Sequence, residues 1–476
     1  MGQRIVSWLQ IACSNDQSDN PSPQAQKNRK EFVAHARANM KDLAENINFT
    51  TWSMASGFFS VFNEVVLYND HFDKDITKIL AEQVQKSYAP LSAEKAAETG
   101  KKYMATLDLT NMNYRFTLNV NVDNAEGRWE QSESENGCLE LVIPDFMYFS
   151  DGFGMEKTLP YGKFEDTQTM KLTLRASGNT IAIPSAMLTN DSVLVMLALP
   201  EHFDMMVTVE KGGQWSQFLD TSLSLTFAQP DKGMAGGVVI SGTAKSNIEG
   251  VDATDVAFDI STDPAQGTNH ATFGFAHNGR QMLQLDMKMH GDLFGAIVNA
   301  AEYAKTSPFD KTNKEAWAKY YLRHSIQSID DLTITMLDDL TTNLKVNDFK
   351  SFISTCNDMD KARHSHADQQ TIDSYVSQLN QIVTGSMTCQ SLDQQIPMRL
   401  QTVRIGAYWY AVPALDFADE KGYTALTDML DKESVDYAFN IVDYTYPIAK
   451  QSIIVIKTLS ESVEKMQRIV VNSMSN

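Results

Sequence analysis

Hydrophobic positions recur every three or four residues toward both ends of this chain and every second residue through its middle. Near the start, Phe32, Ala36, Met40, Leu43 and Ile47 share one face of a helix with a 3.6-residue period. Trp52, Ala55, Phe59, Phe62 and Val66 predict a second helix, and Ile76, Leu80 and Val84 a third. From Tyr103 the period changes to two. Tyr114, Phe116, Leu118, Val120 and Val122 alternate with Arg115, Thr117, Asn119 and Asn121, which gives a strand one apolar and one polar face. Met170-Leu172-Leu174, Val256-Phe258-Ile260 and Leu283-Leu285-Met287-Met289 repeat the alternation.

Turn residues punctuate these runs at Glu126-Gly127, Asn136-Gly137, Ser177-Gly178-Asn179, Lys211-Gly212-Gly213 and Asn278-Gly279. The last, flanked by Phe273-Phe275 and Leu283-Leu285, is the clearest hairpin. About ten to twelve strands fit between residues 103 and 290, spaced as a meander rather than as βαβ units. The helical period returns at Asp292, with stripes at Leu293–Ala301, at Ile326, Ile329, Met336, Leu340 and Leu344, at Phe349–Met359, and at Ile372–Val383. Gly385 reads as a helix stop. Met398 to Val412 reads as strand–turn–strand around Gly406, and Pro447 opens a final helix.

The expected fold is therefore α+β: a large antiparallel sheet, able to curl, flanked by N-terminal and C-terminal helical layers. The expected division is a tether over 1–27, a helical region over 28–102, an antiparallel β region over 103–291, and a mainly helical region over 292–476 with a β-hairpin near 398–412. Helices on one side of the sheet would explain why each strand has only one apolar face.

The extreme N-terminus carries a different signal. Ile5, Val6, Trp8, Leu9, Ile11 and Ala12 form a short apolar stretch that ends at Cys13, and Ser14-Asn15-Asp16-Gln17-Ser18-Asp19-Asn20-Pro21 follows as a polar, acidic run. This order resembles the signal and tether of envelope lipoproteins of Bacteroidota, departing from it in Gln10 and in the brevity of the apolar stretch. The resemblance implies that Cys13 is acylated and that the acyl chains hold the protein on a membrane of the bacterial cell envelope, facing the periplasm or the surface.

Charge and cysteine usage narrow the partners. A net charge of −20 argues against nucleic acid, which needs clustered Lys and Arg. Nowhere does an apolar run approach the eighteen residues of a spanning helix. Apart from Cys13 there are Cys138, Cys356 and Cys389, too few for a disulfide scaffold and without zinc-type spacing. Cys138 is expected to pack within a strand; Cys356 and Cys389 flank a helical pair and could either bridge or stay as buried thiols.

Catalytic signatures are missing: GxGxxG, GxxxxGK[ST], HExxH and GxSxG do not occur. No catalytic, cofactor-binding or metal-binding residue is accordingly expected, and no cofactor. His364-Ser365-His366, with Asp358, Asp360 and Asp368 nearby, is the best metal-type grouping, although the segment reads as a polar loop between helices, where solvated His and Asp are the default. Asp330-Asp331 and Asp338-Asp339 read as an acidic helix face. Asn69-Asp70-His71-Phe72-Asp73 reads as a turn and cap. Tyr408-Trp409-Tyr410 is the candidate ligand-contacting group, since exposed aromatics can line an apolar pocket; the alternative is that they join the core.

These observations favour a non-enzymatic envelope lipoprotein that binds a ligand or partner, in its sharper form an apolar or lipid ligand held between sheet and helices. That layout resembles lipoprotein carriers with half-barrel sheets. A glycan-acting hydrolase with paired carboxylates, and a surface scaffold or assembly protein, are the alternatives.

Overall fold

The computed structural model describes residues 23–46, 82–121, 126–135, 137–143, 169–184, 189, 191–246, 254–293, 325–419 and 421–430. The described chain opens with α1 (Pro23–Asn46), then β1 (Ala89–Pro90) and α2 (Ala93–Thr99). Next come β2 (Tyr103–Asp108), β3 (Asn113–Asn121), β4 (Glu126–Glu133), β5 (Cys138–Ile143), β6 (Thr169–Pro184), β7 (Val193–Lys211) and β8 (Gln214–Phe227). β9 (Val238–Ser246), β10 (Thr254–Asp263), β11 (Thr268–His277), β12 (Arg280–Gly291), β13 (Ile326–Met336) and β14 (Leu340–Val346) continue the sheet. A helical hairpin follows, α3 (Phe349–His364) and α4 (Gln369–Ile382). The last described elements are β15 (Val383–Cys389), β16 (Gln394–Ile405), β17 (Tyr408–Asp416), β18 (Tyr423–Ala425) and the single-turn α5 (Leu426–Met429).

All eighteen strands belong to one open, mainly antiparallel sheet. From β7 to β18 each strand pairs antiparallel with its neighbour in sequence, so this part is a continuous meander. β7 is the branch point. Its residues 202–211 pair with β8, while Val193–Ala198 pair in parallel with β2 along the same edge. β6 runs along the other edge and leads through β5, which is parallel to β3, to β4.

The expected α+β fold and the antiparallel sheet over 103–291 are present, and that span holds eleven strands. The hairpin at Asn278-Gly279 forms as its sequence dictates: both residues take positive φ (50° and 76°), as a tight hairpin turn between right-twisted strands demands.

Several expectations need correction. The stripe from Ile326 to Leu344 is not a helix but the β13–β14 hairpin. Its helical spacing masks a period of two, in which Leu332, Ile334 and Met336 alternate with Thr333 and Thr335, β-branched residues that favour a strand. Leu337 and Asp338 turn the chain with φ of 53° and 57°. Within 292–476, the described residues therefore hold six strands beside α3, α4 and α5. α1 begins at Pro23, inside the span 1–27 expected to be a tether, and the fixed φ of this proline suits a first helical turn. Gly385 does not stop α4; the helix passes at Val383 straight into β15. Ser177-Gly178-Asn179 is a bulge inside β6 rather than a turn between strands. The predicted helices at 52–66, at 293–301 and after Pro447 lie outside the described residues, except for the first residue, Leu293.

The α3–α4 hairpin shows how local chemistry builds the cover of the sheet. Asp348 and Asp368 accept the N–H groups of Ser351 and Thr371, both at 2.9 Å, and so cap the two helices. Lys361, Arg363 and His364 stand in the last turn of α3, where positive charge favours the helix dipole. Phe352, Ile353, Cys356, Ile372, Val376 and Leu379 then face inward onto Met289, Ile329, Val346 and Leu400. Each such large side chain, fully buried, stabilises the fold by about 1.5–3 kcal/mol. Asn380 finishes the junction: its amide donates to Leu400 O at 3.1 Å and accepts from Leu400 N at 2.9 Å, as a neighbouring strand would.

α1 covers the neighbouring part of the same face. Phe32 and Ala36 pack with Leu340, Met387, Met398 and Leu415, and Leu43 packs with Phe275 and Met282.

Candidate functional site

Sheet register aligns apolar side chains across seven strands. Phe203 on β7 pairs with Leu223 on β8, Leu223 with Gly242 on β9, and Gly242 with Phe258 on β10. Phe258 then pairs with Phe273 on β11, Phe273 with Leu285 on β12, and Leu285 with Ile334 on β13. The adjacent row, one residue along each strand, is Asp204, Ser222, Thr243, Ala257, Gly274, Gln284 and Thr335, small or polar throughout. Because successive side chains in a strand point to opposite faces, one side of the meander is apolar and the other is not.

This row is only half-buried, except at Gly242. The Phe258 ring lies where a side chain at position 242 would stand, with ring carbons 2.6 Å from an added Cβ. The clusters made with α1, α3 and α4 extend along this face as far as Val256 on β10. At strand spacings of about 4.8 Å, the seven-strand row is about 29 Å long.

The aromatic group reaches a different place. Trp409 packs against the core under the α3–α4 hairpin. Tyr408 and Tyr410, on the alternate positions of β17, meet the end of α3 and the loop after it. The Arg363 guanidinium lies 4.8 Å from the Tyr410 ring centre, and His366 stacks on Tyr408 at 5.1 Å. All three rings are half-buried and engaged by protein groups.

The His364–His366 grouping does not converge. His364 Nδ1 is bound to the Asp360 carbonyl at 2.7 Å, Asp358 pairs with Lys361, Asp360 with Arg363, and Asp368 caps α4. The acidic pairs also separate. Asp330 and Asp331 lie in β13, and Asp338 and Asp339 in the turn that follows it. Asn69 to Asp73, like Cys13, lies outside the described residues. Cys356 and Cys389 are free thiols in separate clusters, and Cys138 is buried in β5, where its sulfur accepts from Arg175 Nε at 3.4 Å. Burial pushes the Cys356 thiol up to about 12, so it is inert at neutral pH.

Asp339 is where polar side chains do gather. It accepts hydrogen bonds from Asn39 Nδ2 at 2.7 Å, from Ser391 N at 2.9 Å, from the Ser391 hydroxyl, and from the Cys389 thiol at 3.7 Å. His35 Nδ1 stands 3.6 Å away. Burial alone would raise the Asp339 carboxyl, but the Ser391, Asn39 and Cys389 donors outweigh it and lower it to about 2. The Ser391 hydroxyl donates to the carboxylate, with His35 Nδ1 only 3.4 Å from its oxygen. The order Ser–His–Asp needed to activate a serine is therefore not met. His35, Asn39 and Ser391 escaped the sequence reading, and Cys389 was considered only with Cys356, because no motif spacing links them; helix and sheet bring together positions more than 300 residues apart.

On the polar face of β5, Glu140 is bound by Arg115 at 2.6 Å and approached by Lys171 at 3.7 Å. Burial raises its carboxyl, and the Arg115 bond with the other partners more than reverses this, leaving it below the usual range. No protein-family profile, curated protein sequence or solved structure matches the chain.

Proposed function

We propose that this chain is an acyl-anchored lipoprotein of the bacterial envelope that holds an apolar, lipid-type ligand along the hydrophobic row of its sheet. The observation that carries the reading is the row from Phe203 to Ile334, apolar on every strand but that of Gly242 and half-buried at its six apolar positions. The row is long enough for an acyl chain: a bilayer's hydrocarbon core is about 30 Å for two leaflets, hence about 15 Å for one, and the row exceeds that. The absence of a directional polar motif along it fits a ligand held by area rather than by hydrogen bonds. Cys13 and its acidic tether support an anchor that would bring the row to a membrane surface.

The test is detergent-free purification, solvent extraction and mass spectrometry. A lipid in near-stoichiometric amount, lost on replacing Leu223 or Phe258 by Asp while the protein stays folded, is the expected result. Protein that emerges empty, and that fails to take up a fluorescent fatty acid, sinks the proposal.

A further inference from the structure

One corner of the sheet assembles three kinds of metal-binding side chain. His35 comes from α1, Asp339 from the β13–β14 turn and Cys389 from the end of β15. One ligand atom of each lies within 4.8 Å of the other two. Zinc bonds of about 2.0–2.3 Å, set at tetrahedral angles, separate neighbouring ligand atoms by about 3.3–3.6 Å. Here Asp339 Oδ2 lies 3.6 Å from His35 Nδ1 and 3.8 Å from Cys389 Sγ. The third separation, His35 Nδ1 to Cys389 Sγ, is within 4.8 Å, so a shift of up to about 1 Å, open to the partly exposed imidazole, would close the site.

We propose that this corner binds one zinc-type divalent cation through His35 Nδ1, an Asp339 carboxylate oxygen and Cys389 Sγ. The fourth position falls to water or to the Ser391 hydroxyl, whose oxygen lies 3.4 Å from His35 Nδ1 and 3.6 Å from Cys389 Sγ. A mixed nitrogen, oxygen and sulfur set suits Zn2+ and disfavours Mg2+ and Ca2+, which take oxygen ligands. The carboxylate is already oriented, since Asn39 and the Ser391 N–H hold it from outside the ligand set. Access comes from the His35 side, where the imidazole is 42 % exposed, while Cys389 is fully buried.

On binding, the Cys389 S–H bond breaks, its proton leaves to solvent, and the thiolate sulfur bonds the cation. Neutral His35 supplies a lone pair. Thiolate and carboxylate together neutralise the 2+ charge, so the corner passes from a net charge of −1 to zero. The cation would staple α1 to two turns of the sheet and thereby fix Phe32 and Leu43 over the apolar face.

The full-length chain, stripped with chelator, is titrated with Co2+ as a spectroscopic substitute and with Zn2+. One Co2+ per chain with a near-ultraviolet thiolate-to-cobalt band is expected, along with a thermal midpoint raised by Zn2+ and not by Mg2+. Cys389→Ser should abolish the band. His35→Ala, a change at a partly exposed position that should leave the fold intact by circular dichroism, should weaken binding at least tenfold. A wild-type chain without the band, or a band that survives unchanged in both variants, overturns the proposal.

Discussion

Arg29 on α1 and Asp419, just past β17, form a two-pronged ion pair: Arg29 donates from Nε and from a terminal nitrogen, the latter at 2.6 Å. The same guanidinium donates to Thr424 Oγ1 at 2.7 Å and lies 4.9 Å from the Phe417 ring centre. Both partners are nearly buried, with side chains 11 % and 2 % exposed. The pair fixes how α1 enters the sheet, and through Phe32, in edge contact with Phe417, where it lies.

Removing one partner should therefore cost far more than a surface ion pair. Asp419→Ala leaves a buried guanidinium uncompensated and should destabilise by about 3–5 kcal/mol, read as a lower denaturant midpoint. Replacing both residues by apolar ones of similar volume should recover much of that loss. Equal damage from the single and double variants would contradict this account.

Acid should loosen the corner around Asp339. Its carboxyl titrates at about 2 when folded against an ordinary 3.8. The folded state thus favours the ionised form. The resulting stabilisation is complete above the unfolded value and is lost as pH falls from about 4 through 2, amounting to roughly 2 kcal/mol. The stability gap between wild type and Asp339→Asn, measured by urea unfolding, should shrink across that window. A gap independent of pH would refute the assignment.

Asn380 stands in for a strand against Leu400. Asn380→Ala strands one buried donor and one acceptor of the β16 backbone and should cost about 1–3 kcal/mol. Hydrogen exchange at the Leu400 amide should accelerate, and an unaltered rate would show that water substitutes freely.

Gly242 leaves room for the Phe258 ring. Gly242→Val should drive that ring off its place and destabilise by about 1–3 kcal/mol through overpacking. It should also reduce uptake of a fluorescent fatty acid, because the row is interrupted at its middle.

Cys13 provides the cellular test. Labelled fatty acid should enter the wild-type chain, and Cys13→Ala should abolish labelling and release the protein from the membrane fraction. Labelling that persists in the variant would place the anchor elsewhere.

Local pattern alone carried much of the fold. Alternation in β3, β6, β10 and β12, Asn278-Gly279 at its turn, and the stripes of α1, α3 and α4 are short-range properties, set by where successive side chains point. The same reasoning failed from Ile326 to Leu344, where apolar residues satisfy both periods and only pairing with β12 and β15 selects the strand. Tertiary structure decided the rest. The branch at β7, the registration of single apolar residues into one row, and the meeting of His35, Asp339 and Cys389 depend on which distant segments pair. Pairing energy resides in contacts between strands, so a local window cannot reveal it.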